Sequence, residues 1–402
     1  MIKVLILNGS TPATIQVLDI LDTKKYQVAI CDPNPFCWAR FHFHCSEFVR
    51  APRLKNNPKI YLQFLLKLIQ KEKFDVVLPV HEEGLLLAAN KKEIFKYTNF
   101  LLGSAENFHT IMNKKSFLEL TKSINLPVPK MAFVKNIEDV AIAGIFPCWV
   151  KLPYGTSSTG VVRIAKEKIV KEKLKEFGSD SDFIIQEEII GDQLTIQALF
   201  QNGNLICSHQ YQALSTGFGG GASKRISVNY SELKIYAKKI GKKLSWSGPL
   251  MIDAIRDQKS GTIYIIEGNP RIGEISSAFL AGLNIPEAYI KLTCKEKLEK
   301  VFETKSGIKS HQMFTEITGA IKRSECLWKK YQRAFQATFL LGEYKSSVDE
   351  FIHPSVDPVS VLFTFGIFLS LPFLTETRIK NGNQKSAASL PATTIKEILK
   401  ND

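Results

Sequence analysis

The sequence predicts an α/β chain with a Rossmann-like N-terminal domain, followed by an α+β region. Strand and helix signals alternate through the first hundred residues, the pattern of a parallel sheet with helices on both faces. From about residue 147 strands instead follow one another across turn signals, the pattern of antiparallel hairpins. The chain has 402 residues, 45% of them hydrophobic, with four Trp and 26 Phe, enough for two or three packed cores.

Residues 4–7 read as a buried strand, Asn8-Gly9-Ser10-Thr11 as its turn, 12–21 as a helix and 27–31 as the next strand. No GxGxxG follows the first strand, which argues against a dinucleotide site, while Asn8 and Ser10 lie where backbone amides can meet an anionic substrate. Residues 61–71 read as a helix and 75–79 as a strand. His81, Glu82 and Glu83 then fall at its carboxyl end, where such sheets bind ligands. For His81 a capping or surface role is the stronger reading, since sequence assigns it no partner.

Asn113-Lys114-Lys115 open an amphipathic helix that runs to about Ser123, and Pro127 and Pro129 mark the start of a second domain. A strand over 147–151 delivers Lys151 to the loop Gly155-Thr156-Ser157-Ser158-Thr159-Gly160, and a strand over 161–164 follows. Glycines admit close backbone approach, small hydroxyl residues offer amides and OH groups to phosphate oxygens, and Lys151 adds a point charge. No Gly-Lys-Ser/Thr closes the loop, so it is not a Walker A motif, and taken alone it reads more readily as a plain hairpin loop. Next come a lysine-rich helix over 167–177, a strand over 183–190 whose backbone edge suits adenine, and a strand over 194–200. The cluster Gly217-Phe218-Gly219-Gly220-Gly221 leads to Lys224 and Arg225, as expected of a flexible lid carrying two cations over an anionic substrate; a plain loop tip is the alternative. Residues 230–244 form an amphipathic helix.

Strands over 251–256 and 262–267, joined by Asp257-Gln258-Lys259-Ser260-Gly261, make a hairpin. Strict alternation puts Ile265 and Glu267 on one face, so Glu267 is an acid where a hydrophobe is expected. Asn269 shares that face, and Pro270 ends the strand and orients Arg271. With Asp253 on the partner strand, two carboxylates and an amide oxygen form a hard-cation set, suited to Mg2+ that also holds nucleotide phosphates. A hairpin whose acids pair with neighbouring lysines is the structural alternative.

The net charge is +14, but the lysines are dispersed on helical faces with no aromatic-interleaved basic element, which argues against nucleic acid. Polyanionic substrates and anionic membrane surfaces remain compatible with it. Seven cysteines without a CxxC pair, and a strand directly after Met1, predict a reducing, cytoplasmic location. Residues 358–375 lack any charge, and 359–374 are dense in Phe and Leu. As a helix they would reach roughly 24 Å, short of the ~30 Å hydrocarbon core, and Pro372 interrupts them. Burial against the main core is the expectation, with membrane-peripheral docking or an oligomer contact as alternatives. The tail over 380–387 is expected to be mobile.

Taken in order, Lys114, Lys151 ahead of Gly155 to Gly160, Gln186-Glu187-Glu188 with Gly191, and Asp253 with Glu267-Gly268-Asn269-Pro270-Arg271 resemble the ATP-grasp superfamily. The pattern is similar to the carbamoyl-phosphate-synthase-like branch of carboxylate-amine ligases, from residue 1 to about 295. The resemblance implies a pre-ATP-grasp domain (1–108), an ATP-grasp domain (109–295; small lobe about 127–188, large lobe about 189–295) and a C-terminal extension (296–402). It implies that Lys114 and Lys151 contact the phosphates of ATP under the loop Gly155 to Gly160. Glu187, Glu188 and Ile189 would line adenine, and Gln193 would meet the ribose. Asp253, Glu267 and Asn269 would hold Mg2+, or Mn2+ in its place, and Arg271 would stabilise an acyl phosphate. Three departures stand out: Gln193 where Glu is usual, Leu152 before Pro153, and Asn113 before Lys114 where Asp is common. The implied reaction is ADP-forming ligation of a small-molecule or glycan-linked carboxylate to an amine. A phosphotransferase, or a non-catalytic nucleotide-binding scaffold, is the rival. Biotin-dependent carboxylation is disfavoured, since no Met-Lys-Met carrier motif is present.

Overall fold

The computed structural model describes residues 1–135, 139–140, 144–155, 159–174, 182–296, 298, 304–351, 357, 359–377, 379 and 390–400. Four parallel strands, β1 (Ile2–Leu7), β2 (Tyr26–Asp32), β3 (Cys45–Arg50) and β4 (Val76–Pro79), form the N-terminal sheet in the order β3-β2-β1-β4. Helices α1 (Pro12–Ile20), α2 (Pro58–Glu72) and α3 (Glu83–Ala89) pack on it. The start of α2 follows from its sequence: Pro58 opens it and the Asn57 side chain accepts from the Ile60 amide, satisfying one of the orphan donors of a helix end. Tyr61, Leu65, Leu68 and Ile69 then turn one apolar stripe inward.

Two short helices lead out of this domain, α4 (Ala105–Met112), capped by Ser104, and α5 (Lys114–Ser123), capped by Asn113. A small antiparallel sheet contains β5 (Met131–Val134), β6 (Cys148–Lys151), β7 (Val161–Ile164) and β8 (Phe183–Glu187) in the order β5-β8-β6-β7. It has its own core, with Val150, Ile164, Phe183 and Ile185 fully buried.

A seven-stranded sheet is built from β9 (Gly191–Gln201), β10 (Asn204–Thr216), β11 (Ala222–Val228), β12 (Gly248–Asp257), β13 (Ile263–Asn269), β14 (Lys309–His311) and β15 (Ser347–Asp349), in the order β13-β12-β9-β10-β11-β14-β15. Helix α6 (Ser231–Lys243) covers β9 and β10, and α7 (Ile285–Thr293) packs towards the N-terminal domain. The C-terminal residues are therefore not an independent appendage, since β14 and β15 extend this sheet. They also carry α8 (Met313–Lys322), α9 (Leu327–Thr338), α10 (Val359–Ser370) and α11 (Ala392–Leu399). Leu390, Ile395 and Ile398 join the same continuous core as Leu5, Phe108, Phe117, Ile196 and Ile252, so α11 returns to the N-terminal domain.

Two expectations are corrected here. Residues 217–221 are a tight turn between β10 and β11, closed by the Gly217 amide on the Gly221 carbonyl at 2.9 Å. A Cβ on Gly217 would come within 2.3 Å of Thr315, so this turn is docked on α8 rather than free to act as a lid. Residues 359–373 form α10 and a 3-10 turn containing Pro372, but they are not buried against the main core. Ile367 and Leu371 enter a small separate core with Met313, Ile317, Ala334 and Tyr344, while Leu362, Phe365, Leu369 and Phe373 are exposed. The tail over 380–387 and the loop residues Thr156, Ser157 and Ser158 lie outside the described residues.

Candidate active site

The hairpin of β12 and β13 faces a cleft between the domains. Asp253 pairs in register with Glu267, but the next pair is Ala254 with Ile265, which makes Ile266 an extra residue, a β-bulge. Ile252, Ala254, Ile263 and Ile265 face the core, and so does Gly268, where a Cβ would come within 2.6 Å of the Phe117 ring. The bulge thus moves Glu267 off the face of Ile265, correcting the alternation argument, and leaves Asp253, Glu267 and Asn269 on the cleft side. Asp253 accepts from Thr195 Oγ1 at 2.7 Å and from Asn269 Nδ2 at 3.1 Å. Burial, then the Glu267 charge, push its carboxyl up to about 6, the signature of a carboxylate short of cationic company. Among the described residues no three His, Cys, Asp or Glu side chains form a metal-binding group. Two carboxylates plus the Asn269 amide are nonetheless an oxygen set that a hard cation accepts when phosphates and water complete its shell.

Two lysines face these acids. Lys114 is the first residue of α5, and its Nζ donates to the Gly155 carbonyl at 2.8 Å and lies 3.4 Å from Glu267. Gly155 sits at φ +146°, and a Cβ there would be 2.3 Å from the Thr159 carbonyl, so only glycine fits this turn. Lys151, at the end of β6, donates to Gln186 Oε1 at 2.7 Å. Both lysines are buried, and burial pushes the Lys151 amine down to about 8, with Glu267 pulling the other way. Buried ammonium groups bonded to neutral oxygens are suited to meet an incoming polyanion.

Arg271 follows Pro270 into the same cleft. Its Nη1 donates to His81 Nε2, and its Nη2 lies 3.4 Å from Asn269 Oδ1. His81 therefore has a partner that its sequence position did not reveal. Burial and the Arg271 charge hold the His81 ring neutral, well below its ordinary range. His81, Glu82, Phe108, Gly155, Glu267 and Arg271 all line the cleft. Glu82 accepts from the Leu390 amide, and burial pushes its carboxyl up to about 7. Glu83, also raised to about 7 by burial, accepts from Asn8 Nδ2 at 2.9 Å.

The remaining predicted residues divide. The Asn8 amide is spent on the Cys31 carbonyl at 2.9 Å and the Ser10 amide on Asp32 at 2.8 Å; with a carboxylate already there, this turn is ill suited to an anion. Lys224 pairs with Glu343 and lies over the Tyr344 ring at 5.4 Å, and Arg225 is buried between Glu274 and Glu350. Both belong to a paired strand, so the cationic lid is corrected to a buried network. Glu187 accepts from the Lys130 amide at 2.9 Å, and Glu188 holds Arg163 through two contacts of 2.6 Å. Both carboxylates are thus engaged, and the backbone around Ile189 lies between β8 and β9. Gln193 is exposed on β9, opposite Ile255. Gly160, Leu152 and Thr159 close the described part of the glycine loop, with the Leu152 amide on the Gly160 carbonyl at 2.8 Å. Sequence reasoning missed Thr195 as the partner of Asp253, and placed Gln186 in a motif without pairing it to Lys151. Their only signal is strand register, which has no trace in the sequence until pairing is known.

The site is thus a cleft at the junction of a small antiparallel sheet and a larger one, in which buried lysines and acids face each other. Residues 111–274 match the family model of the ATP-grasp domain. No curated protein matches the sequence. Among solved structures, the chain is similar to N5-carboxyaminoimidazole synthetase from Staphylococcus aureus complexed with ADP, at 19% identity and TM-score 0.59, covering 75% of this chain and 80% of that one. L-amino acid ligase from Bacillus licheniformis aligns at 17% identity and TM-score 0.60, covering 77% and 78%. The biotin carboxylase domain of Hydrogenobacter thermophilus 2-oxoglutarate carboxylase, in complex with MgADP and bicarbonate, aligns at 16% identity and TM-score 0.59, covering 76% and 73%. All three share the fold.

Proposed function

We propose that this chain is an ADP-forming, Mg2+-ATP-dependent ligase that activates a carboxylate and joins it to an amine. The observation that carries the reading is the convergence of Lys114, Lys151, Asp253, Glu267, Asn269 and Arg271 on one cleft. In this reading the γ-phosphoryl of ATP passes to a carboxylate oxygen, releasing ADP. The amine then attacks the acyl carbon, and phosphate leaves as the amide forms. Mg2+ supplies charge neutralisation across the phosphates. Asp253, Glu267 and the Asn269 amide oxygen would hold it. Lys114 and Lys151 grip the phosphates, and the backbone around Ile189 reads the base. Arg271 meets the charge that develops on the transferring group, and neutral His81 orients it by accepting from Nη1. The pre-ATP-grasp, ATP-grasp and C-terminal divisions at about residues 108 and 295 belong to this reading, with β14 and β15 completing the large lobe.

The neighbours' printed substrates and ligands, an amino acid, bicarbonate and adenine nucleotides, support a small-molecule carboxylate and an amine rather than nucleic acid. Among the described residues no helix is long and apolar enough to cross a membrane, and a cytoplasmic site of action fits the free thiols. The test is a screen of carboxylates and amines for ADP release. Phosphate release that requires both partners supports the ligase. ADP release without any amine dependence favours a phosphotransferase, and ATP binding without turnover on any pair favours a scaffold.

A further inference from the structure

The turn that carries Arg271 is pinned by elements other than itself. Between the end of β13 and the short helix Ser276–Leu280 the chain belongs to no ladder, so its polar groups are met from elsewhere. The Glu274 carbonyl accepts from Gln197 on β9, and the Glu274 carboxylate accepts from Arg225 and, at 2.6 Å, from Gln312. At Gly273 a Cβ would come within 1.9 Å of the Met251 sulfur, so the turn lies directly on β12. Ile272 and Ile275 are buried beside it.

One further contact comes from the N-terminal domain. The amides of Ile275 and Ser276 stand at the start of the short helix, where no carbonyl of that helix reaches them. Both donate to Gln16 Oε1, at 2.6 and 3.0 Å, so a side chain of α1 caps this helix. Gln16 is fully buried, on the side of α1 that also buries Ala13 and Ile20. A leucine there would fill the space without the cost of desolvating an amide; only hydrogen bonds offset that cost. The Gln16 Nε2 donates to Glu350 Oε2 at 3.1 Å, which fixes the end of the amide that faces the turn. His81, which accepts from the Arg271 guanidinium, comes from the same domain. The N-terminal domain therefore grips this turn at two points: the Arg271 side chain, and the backbone of Ile275 and Ser276.

We propose that Gln16 is a positioning residue for Arg271. By accepting from both amides it sets how close the turn lies to the N-terminal domain, and so where the guanidinium meets the transferring phosphoryl group. The inference rests on the reading of Arg271 given above and adds to it a buried residue of α1 that does not line the cleft. Rates are steep in such placement: a displacement of about 1 Å costs on the order of a hundredfold.

The test measures binding of MgADP to the full chain with and without aluminium fluoride, a mimic of the phosphoryl group in transfer that needs neither the carboxylate nor the amine. Fluoride should tighten MgADP binding to the wild type, and Arg271→Lys should reduce that gain about tenfold. Gln16→Met keeps the volume but leaves both amides without an acceptor, so it should reduce the gain about tenfold or more, with MgADP alone bound as in the wild type. Should that variant fail to fold, Gln16→Asn, which withdraws the acceptor by one methylene, takes its place. Gln16→Glu keeps an acceptor for both amides but sets a second carboxylate against Glu350; it should melt lower and retain most of the gain. Val17→Ala thins the packing of the same helix and should also melt lower, with the gain intact. All variants are compared well below the lowest melting temperature. A full gain in the variant lacking the acceptor overturns the proposal, as does a gain that follows melting temperature across the set, which would make Gln16 a packing residue only. No gain in the wild type overturns the reading of Arg271 itself, and this assignment with it.

Discussion

Two buried polar clusters border the seven-stranded sheet, one of them completed by Lys151 from the small sheet, and hold their charges in opposite ways. Around Arg225, one guanidinium bonds both Glu274 and Glu350, and Glu350 also accepts from Gln312 at 2.8 Å, Ser310 at 2.6 Å and Gln16 at 3.1 Å. Burial alone would raise the Glu350 carboxyl, yet Arg225 and the donors around it bring it below its ordinary value. In the cleft, Asp253 is instead pushed up and Lys151 pushed down. Both are driven towards neutrality because their charges lack full compensation within the protein. A network that satisfies its charges is structure, whereas one that leaves them under-compensated is prepared for ligands. Sequence could not separate the two, since Arg225 and Lys151 each looked like a cation beside a glycine-rich loop.

The sharpest break of this comparison is Glu267→Ala. Turnover should fall by about a thousandfold or more, with the melting temperature little changed because loss of the 3.4 Å ion pair to Lys114 is offset by relief of the repulsion on Asp253. A destabilised variant with normal turnover would place Glu267 with the structural network. Next in size is Glu350→Gln, which leaves Arg225 under-compensated in a buried site and should cost about 3 kcal/mol of stability, read by denaturant titration. Preserved stability would show that Arg225 is held by Glu274 alone.

Lys151→Ala should lower ATP affinity by about 1.5 to 3 kcal/mol in calorimetry while costing little stability; unchanged binding would return Lys151 to a structural bond with Gln186. Arg271→Lys keeps the charge but loses the fork between His81 and Asn269, so kcat should drop about tenfold with ATP affinity nearly constant. A fall in melting temperature with normal kcat would remove Arg271 from the reaction. The smallest effect concerns Glu82. Burial raises its folded carboxyl to about 7, so the protonated acid favours folding fully below the ordinary carboxylate range, and that advantage is lost as pH rises through about 7. Glu82→Gln should therefore match wild type in buffer below the ordinary carboxylate range and gain about 1 to 2 °C over it in alkaline buffer. A constant difference across pH would show that Glu82 does not titrate there.

Much of this arrangement was legible. The alternation of strands and helices, the Asn113 cap that places Lys114 at a helix start, and the hairpin carrying Asp253 and Glu267 all follow from local pattern. What was hidden depends on pairing. Ile266 reads as one more strand residue, and only the register against β12 makes it a bulge. Strands β14 and β15 have three residues each, too few for any periodicity. Glycines 217, 219, 220 and 221 suggest mobility until Thr315 is seen against Gly217. A backbone donor such as the Leu390 amide has no side-chain signature at all.

That donor ties the cleft to the timing of synthesis. The bond from Leu390 to Glu82 spans 308 residues, and Thr394 reaches the Lys55 carbonyl at 3.1 Å across 339. At about 5 to 20 residues per second on a ribosome, Glu82 would wait roughly 15 to 60 s for its hydrogen-bond donor. A nascent chain would thus carry the nucleotide-facing residues before the wall bearing Glu82 is finished, so stalled or prematurely stopped chains should be incomplete on the Glu82 side of the cleft.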